Sequence, residues 1–155
     1  MALVFATGGL ISVPFLFLLP QPQIASWSYI VASAVIHALY GLALARMLDS
    51  GDLSQTYPIA RGLAPIMIFI LAAVFADERH SPSGIAAIAL ISAGIISLSV
   101  VGRPKNTRGG LAIAQAVLVG LLIALYSYID GQGVRLSGDA FTYIAWIFFL
   151  TAILI

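Results

Sequence analysis

The stretch Gly84–Gly102 reads GIAAIALISAGIISLSVVG and contains no charged side chain. A helix of that length rises roughly 28 Å at about 1.5 Å per residue, close to the ~30 Å hydrocarbon core of a bilayer. Lipid offers the backbone no hydrogen-bond partners, so a spanning segment must satisfy its own N–H and C=O groups. A membrane β-strand would be about half as long and would alternate in polarity, which this stretch does not. It therefore predicts a transmembrane helix. Working outward, five further apolar runs have the same character: Ala2–Leu19, Trp27–Leu48, Tyr57–Ala76, Gly110–Ile129 and Ala140–Ile155. They are separated by the short polar breaks PQPQIAS (20–26), DSGDLSQT (49–56), DERHSPS (77–83), RPKNTRG (103–109) and DGQGVRLSGD (130–139). None of these breaks can hold another domain. The expected fold is all-α, a polytopic transmembrane bundle of six spans.

The composition agrees. The chain has 155 residues, 61% hydrophobic and only 8% charged, with a net charge of +1. A soluble domain is roughly half apolar and about a quarter charged. These figures exclude a soluble domain, a disordered chain and a nucleic-acid binder. The absence of cysteine removes disulfides, thiolate metal sites and cysteine nucleophiles. No basic residue precedes the first apolar run, which argues against a signal peptide. The run Thr151–Ile155 ends without the polar flank that normally closes a span, so the chain is expected to be a fragment of a longer protein. Arg46, Arg103, Lys105 and Arg108 fall on one side of the predicted membrane, and Arg79 and Arg135 on the other. This margin leaves the orientation open.

Function in such a bundle concentrates at polar groups held at depth. In the second run Ser33, His37, Tyr40 and Gly41 share one helical face. His37 is either a substrate contact or proton-sensitive group, or a neutral histidine holding neighbouring helices together. In the third run Asp52 and Gln55 have capping-box spacing, and Pro58 and Pro65 are expected to kink the helix. Tyr57 and Arg61 lie four residues apart on one face; Arg61 either snorkels to the interface or lines a cavity. In the fourth run Ala89, Ala93 and Ser97, with Gly94 beside them, form a small-residue face that reads as helix packing. In the fifth, Gln115 and Tyr126 share nearly one face and Asp130 follows four residues after Tyr126. Asp130 opens the sequence DGQGVR, which reads either as a helix-ending turn or as part of a solute path. In the sixth, Tyr143 is expected to anchor at the interface, and Thr142, Trp146 and Thr151 are the other notable residues. There is no HExxH, GxSxG, P-loop or pair of carboxylates within a span. Neither an enzyme, a metal site nor a cofactor is expected.

The stretch Asp49–Ser83, DSGDLSQTYPIARGLAPIMIFILAAVFADERHSPS, followed by GIAAIALISAGIISLSV, resembles the EamA-like domain of the drug/metabolite transporter superfamily. The resemblance lies in the run from Gly51 to Pro65, of which Tyr57–Pro65 is the most specific part, and in the charged turn and small-residue helix after it. ALYSYIDGQGVR (124–135) resembles the opening helix of the family's second repeat. The resemblance implies a ten-helix, inverted-repeat transporter, of which this chain would cover helices two to seven. Residues 1–102 would be the remaining four helices of the first repeat, and residues 110–155 the first two of the second. It implies a multi-pass protein of the cytoplasmic (inner) membrane, moving small organic metabolites by alternating access. In inverted-repeat carriers the site lies near the midplane, and the expected substrate-binding residues are His37, Tyr40, Tyr57, Arg61, Tyr126 and Asp130. Arg61 would attract an anionic group or pair with Asp130. The expected partners are a small-molecule metabolite, the lipid bilayer and a second copy of the chain, with no nucleic acid. The alternative is a non-transporting membrane subunit or assembly factor, whose polar residues only bind helices together.

Overall fold

A computed structural model describes residues 2–50, 53–75, 81–101 and 109–155. Among these the secondary structure is helical throughout: α1 (Ala2–Leu18), a 3-10 turn (Ile24–Ser26), α2 (Trp27–Ser50), α3 (Leu53–Phe75), α4 (Pro82–Val101), α5 (Gly109–Ser137) and α6 (Ala140–Leu154). Four segments are long and apolar enough to cross a membrane: Ile24–Asp49, Ser54–Phe75, Pro82–Ser99 and Gly110–Ser137. This is the character of a multi-pass membrane protein. The helices α1 and α6 are more apolar but shorter, at 17 and 15 residues. The expected cap at Asp52 and the charged turn at 76–80 lie outside the described residues, as does the basic loop at 102–108.

Two boundaries differ from the sequence expectation. Helix α2 runs to Ser50 and α3 begins at Leu53, so the described residues of DSGDLSQT are helical, and α3 runs on through both Pro58 and Pro65. The larger difference is in α5. DGQGVR is not a turn: the helix continues to Ser137, and the break shrinks to Gly138–Asp139. Asp130 therefore lies about two turns inside a helix. The glycine that does end α5 is Gly138, with φ +83°, a backbone conformation that costs a residue with a Cβ. Gln23 closes this corner, its N–H donating to the Ser137 carbonyl at 3.2 Å. Asp139 then caps α6, accepting from the Thr142 backbone N–H at 3.0 Å and the Thr142 hydroxyl at 2.9 Å.

The chain forms two compact units. The first comprises residues 1–41 and 126–155, the second residues 42–125. In the first unit α1 packs on α6 through Gly9, where a methyl group would overlap the Ala152 side chain, and Gly8, which meets the Phe148 ring. Trp27 of α2 packs edge-on against Trp146 of α6, with ring centroids 4.8 Å apart. Below them Ile30, Tyr143 and Ile147 form a buried core. The Thr142 Oγ1 also lies 2.8 Å from the Pro20 carbonyl oxygen, so its single proton is shared between this carbonyl and the Asp139 carboxylate, tying α6 to the link between α1 and α2. Gly133 of α5 faces Tyr143 so closely that a methyl group there would overlap the phenol.

In the second unit α3 packs on α4 at Gly62, which lies against Ile96 and the Ser92 carbonyl, and on α5 at Gly120, which lies against the Ala60 carbonyl. Ala60, Ala64, Ala112, Ala116 and Ala124 are all buried. Small side chains let backbones approach closely, as membrane helices require where hydrophobic burial gives no drive. The packed face of α4 is not the expected one. Ala89, Ala93, Gly94 and Ser97 are exposed, whereas Ser92 and Ser99 are buried. The face is chosen by Gly62, whose missing side chain makes room for Ile96 and the Ser92 backbone.

Two stability predictions follow from these contacts. Gly133→Ala should destabilise the chain by about 1–3 kcal/mol through overpacking, whereas Gly131→Ala, with nothing within 4 Å of the new methyl group, should be neutral or better; equilibrium unfolding in detergent measures both. The Asp139 carboxyl is held below its ordinary range, chiefly by the Thr142 backbone N–H and then by the Thr142 hydroxyl. A lowered folded-state value means that the ionised cap stabilises above the ordinary carboxyl range and loses that effect as pH falls through the folded value. Asp139→Ala should therefore unfold more readily than the parent at neutral pH, with the difference vanishing in acid.

Candidate functional site

Polar side chains from three helices of the first unit meet beside a cavity. On α2, Ser33, His37 and Tyr40 recur at spacings of four and three, which keeps them on one face. On α5, Tyr126 and Asp130 are one turn apart. On α6, Tyr143, Ile147 and Thr151 recur every four residues and turn the same face inward. The imidazole of His37 stacks on the Tyr126 ring, with centroids 4.0 Å apart, and Tyr40 packs edge-on against the same ring at 5.5 Å. Four of the six expected site residues, His37, Tyr40, Tyr126 and Asp130, are thus brought together.

The hydrogen bonds define the chemistry. His37 Nδ1 lies 3.0 Å from the Ser33 carbonyl oxygen and 3.1 Å from the Ser33 hydroxyl. A carbonyl only accepts, so the contact assigns the proton of the neutral ring to Nδ1 and leaves Nε2 as an acceptor. With Nδ1–H donating, the Ser33 hydroxyl is free to give its own proton to Asp130, with which it is hydrogen-bonded. Asp130 receives a second donor, the Tyr143 phenol, at 3.2 Å. Ser33 and Tyr143 are completely buried, at 0% exposure each. The carboxyl group thus sits between two uncharged hydroxyl donors on different helices.

A cavity of about 90 Å³ adjoins this network, lined by Phe5, His37, Asp130, Ile144, Ile147, Phe148 and Thr151. The Thr151 hydroxyl is buried, at 1% exposure, and has no hydrogen-bond partner. A larger apolar groove of about 330 Å³ runs along α1 and α6, and Ile144 and Phe148 line both spaces. No three histidine, cysteine, aspartate or glutamate side chains gather among the described residues.

Tyr57 and Arg61, the other two expected site residues, belong to the second unit. Both are exposed. The Arg61 Nε–H donates to the Tyr57 hydroxyl at 3.1 Å, and the guanidinium carbon lies 5.3 Å from the Tyr57 ring centroid, within the ~6 Å reach of a cation–π contact. The pair forms one ledge on α3, as its spacing of four predicts.

Sequence reasoning missed two members of the cluster. Tyr143 is not an interface anchor: it is wholly buried and bonded to Asp130. A tyrosine near a helix start usually marks the interface, but here Gly133 makes room for the ring and Asp130 binds its hydroxyl. Thr151 was visible only as a polar residue in an apolar run, and its fourfold spacing from Ile147 and Tyr143 was the available signal.

No protein-family model matches the chain, and comparison with curated proteins and with solved structures gives no match either.

The tautomer assignment is directly measurable. In ¹⁵N-labelled protein carrying His80→Asn, so that His37 is the one remaining histidine, the Nδ1 nitrogen should show the protonated shift at neutral pH. Ser33→Ala should leave that assignment unchanged, because the backbone carbonyl is the acceptor.

Proposed function

We propose that the chain is part of a secondary transporter that moves small organic metabolites across the cytoplasmic membrane by alternating access. The observation that carries this reading is the Ser33–His37–Asp130–Tyr143 network beside a cavity, built on helices that are otherwise apolar. A polar or ionisable group at membrane depth is costly and typically marks a solute or ion path. On this reading α1 and α6 are also spans, giving six, and the chain covers helices two to seven of a ten-helix, inverted-repeat, EamA-like carrier. Residues 1–102 belong to the first repeat and residues 110–155 to the second. His37, Tyr40, Tyr126 and Asp130 form one wall of the solute path, and Tyr57 and Arg61 present a cationic, aromatic ledge that attracts anionic groups.

A second reading has its own support. The bonds from Ser33 and Tyr143 to Asp130 join α2, α5 and α6, which is what helix glue in a non-transporting subunit would do. Single cysteines introduced into the cysteine-free background separate the two readings. A transporter should label at positions 57 and 61 with a water-soluble thiol reagent, and substrate should alter the labelling; a structural subunit should show neither. In the full-length protein Arg61→Ala should cut flux about tenfold or more, on the scale of one lost charge-assisted contact. Unchanged flux at normal expression would remove Arg61 from the path.

A further inference from the structure

The apolar groove on α1 and α6 has no part in the site described above. It follows α1 from Gly8 to Leu19 and α6 from Phe141 to Phe148. At about 1.5 Å per residue its α1 side is about 16 Å long, the reach of an extended dodecyl chain. Ile11, Phe15 and Phe141 line it, and the Ser12 hydroxyl beside them donates to the Gly9 carbonyl at 2.7 Å. The groove shares Ile144 and Phe148 with the polar cavity at His37 and Asp130. Those two side chains form the wall between apolar and polar space. Phe148 is 45% exposed, so its ring is open on one side and can move between rotamers.

Charge narrows the occupant. Among the described residues neither lysine nor arginine lines either space, and the Asp130 carboxyl borders the cavity. A phosphate or carboxylate head would meet no complementary charge there. An uncharged hydroxyl can donate to His37 Nε2 or to an Asp130 oxygen. We propose that the groove takes the alkyl tail of a single-chain, non-anionic amphiphile whose hydroxyl head reaches the His37–Asp130 cavity. The proposal rests on the transport reading in taking that cavity as part of the solute path, and it names the class of solute and its entry from the side of the bilayer.

The test places the purified full chain, carrying His80→Asn, in phosphatidylcholine nanodiscs with a dodecyl alcohol bearing a diazirine near its methyl end. After photolysis, label on residues 8–19 and 141–148 should exceed label on the exposed face of α4, where Leu90 and Leu98 are open, at least fivefold. The His37 Nε2 resonance should move saturably with the alcohol and stay still with dodecane. The matching fatty acid should produce neither effect. Ile11→Trp fills the groove at a position 67% exposed, where a larger side chain is tolerated, and should cut groove label at least threefold. Leu10→Trp, exposed on α1 but outside the groove, should leave it unchanged. The proposal is overturned if α4 labels as heavily as the groove, which would mean a general lipid coat. It is equally overturned if His37 does not respond, if Ile11→Trp labels like the parent, or if the fatty acid matches the alcohol. Flux is not measured here. Groove label and a His37 response without transport of the alcohol by the full-length protein would remove the transport reading alone; transport of another solute without enriched label would remove this proposal alone.

Discussion

Hydrocarbon cannot hydrogen-bond, so any polar group carried into it must be answered by another part of the chain. Asp130 shows how far that constraint reaches. Its carboxyl group lies inside α5, two turns from the helix end, and its two donors come from α2 and α6. Tyr143 can reach it because Gly133 has no side chain. Ser33 can donate to it because His37 gives its own proton to a carbonyl oxygen. The positions of three helices are thus set around a single polar group, and the aromatic stack of His37, Tyr126 and Tyr40 closes over one side of it.

The second unit rests on a different solution to the same problem. It has alanines and glycines where a soluble core would carry leucines, and its helices approach until Gly120 lies against the Ala60 carbonyl and Gly62 against the Ser92 carbonyl. With no water to expel between helices in lipid, close contact between backbones supplies the attraction. Its buried polar groups are the small hydroxyls of Thr56, Ser92 and Ser99, and the Tyr57–Arg61 pair is an exposed ledge rather than a buried network.

The helices were legible because apolar length is a one-dimensional property: every predicted run overlaps an observed helix. What is not one-dimensional was read less well. DGQGVR looks like a turn because glycine and charge usually end helices, yet Gly133 is there to admit Tyr143, a reason that exists only once α6 has folded back. The small residues of α4 face outward, because the partner surface is chosen by Gly62 on another helix and not by the regularity of the stripe. Likewise, the spacing of Ser33, His37 and Tyr40 exposed one wall of the site, and that of Tyr126 and Asp130 a second. The third wall, Tyr143 and Thr151, was hidden in a run whose aromatic and hydroxyl residues have ordinary roles at an interface.

Gly133 and Tyr143 fill a single space between them, and that has an evolutionary consequence. A side chain at position 133 needs a smaller residue at position 143, and a smaller residue at 143 takes away one of the two donors to Asp130. The three positions should therefore drift as one heritable unit. A descendant that loses the acid is released from the glycine, whereas a descendant that keeps the acid inherits the glycine and the phenol together.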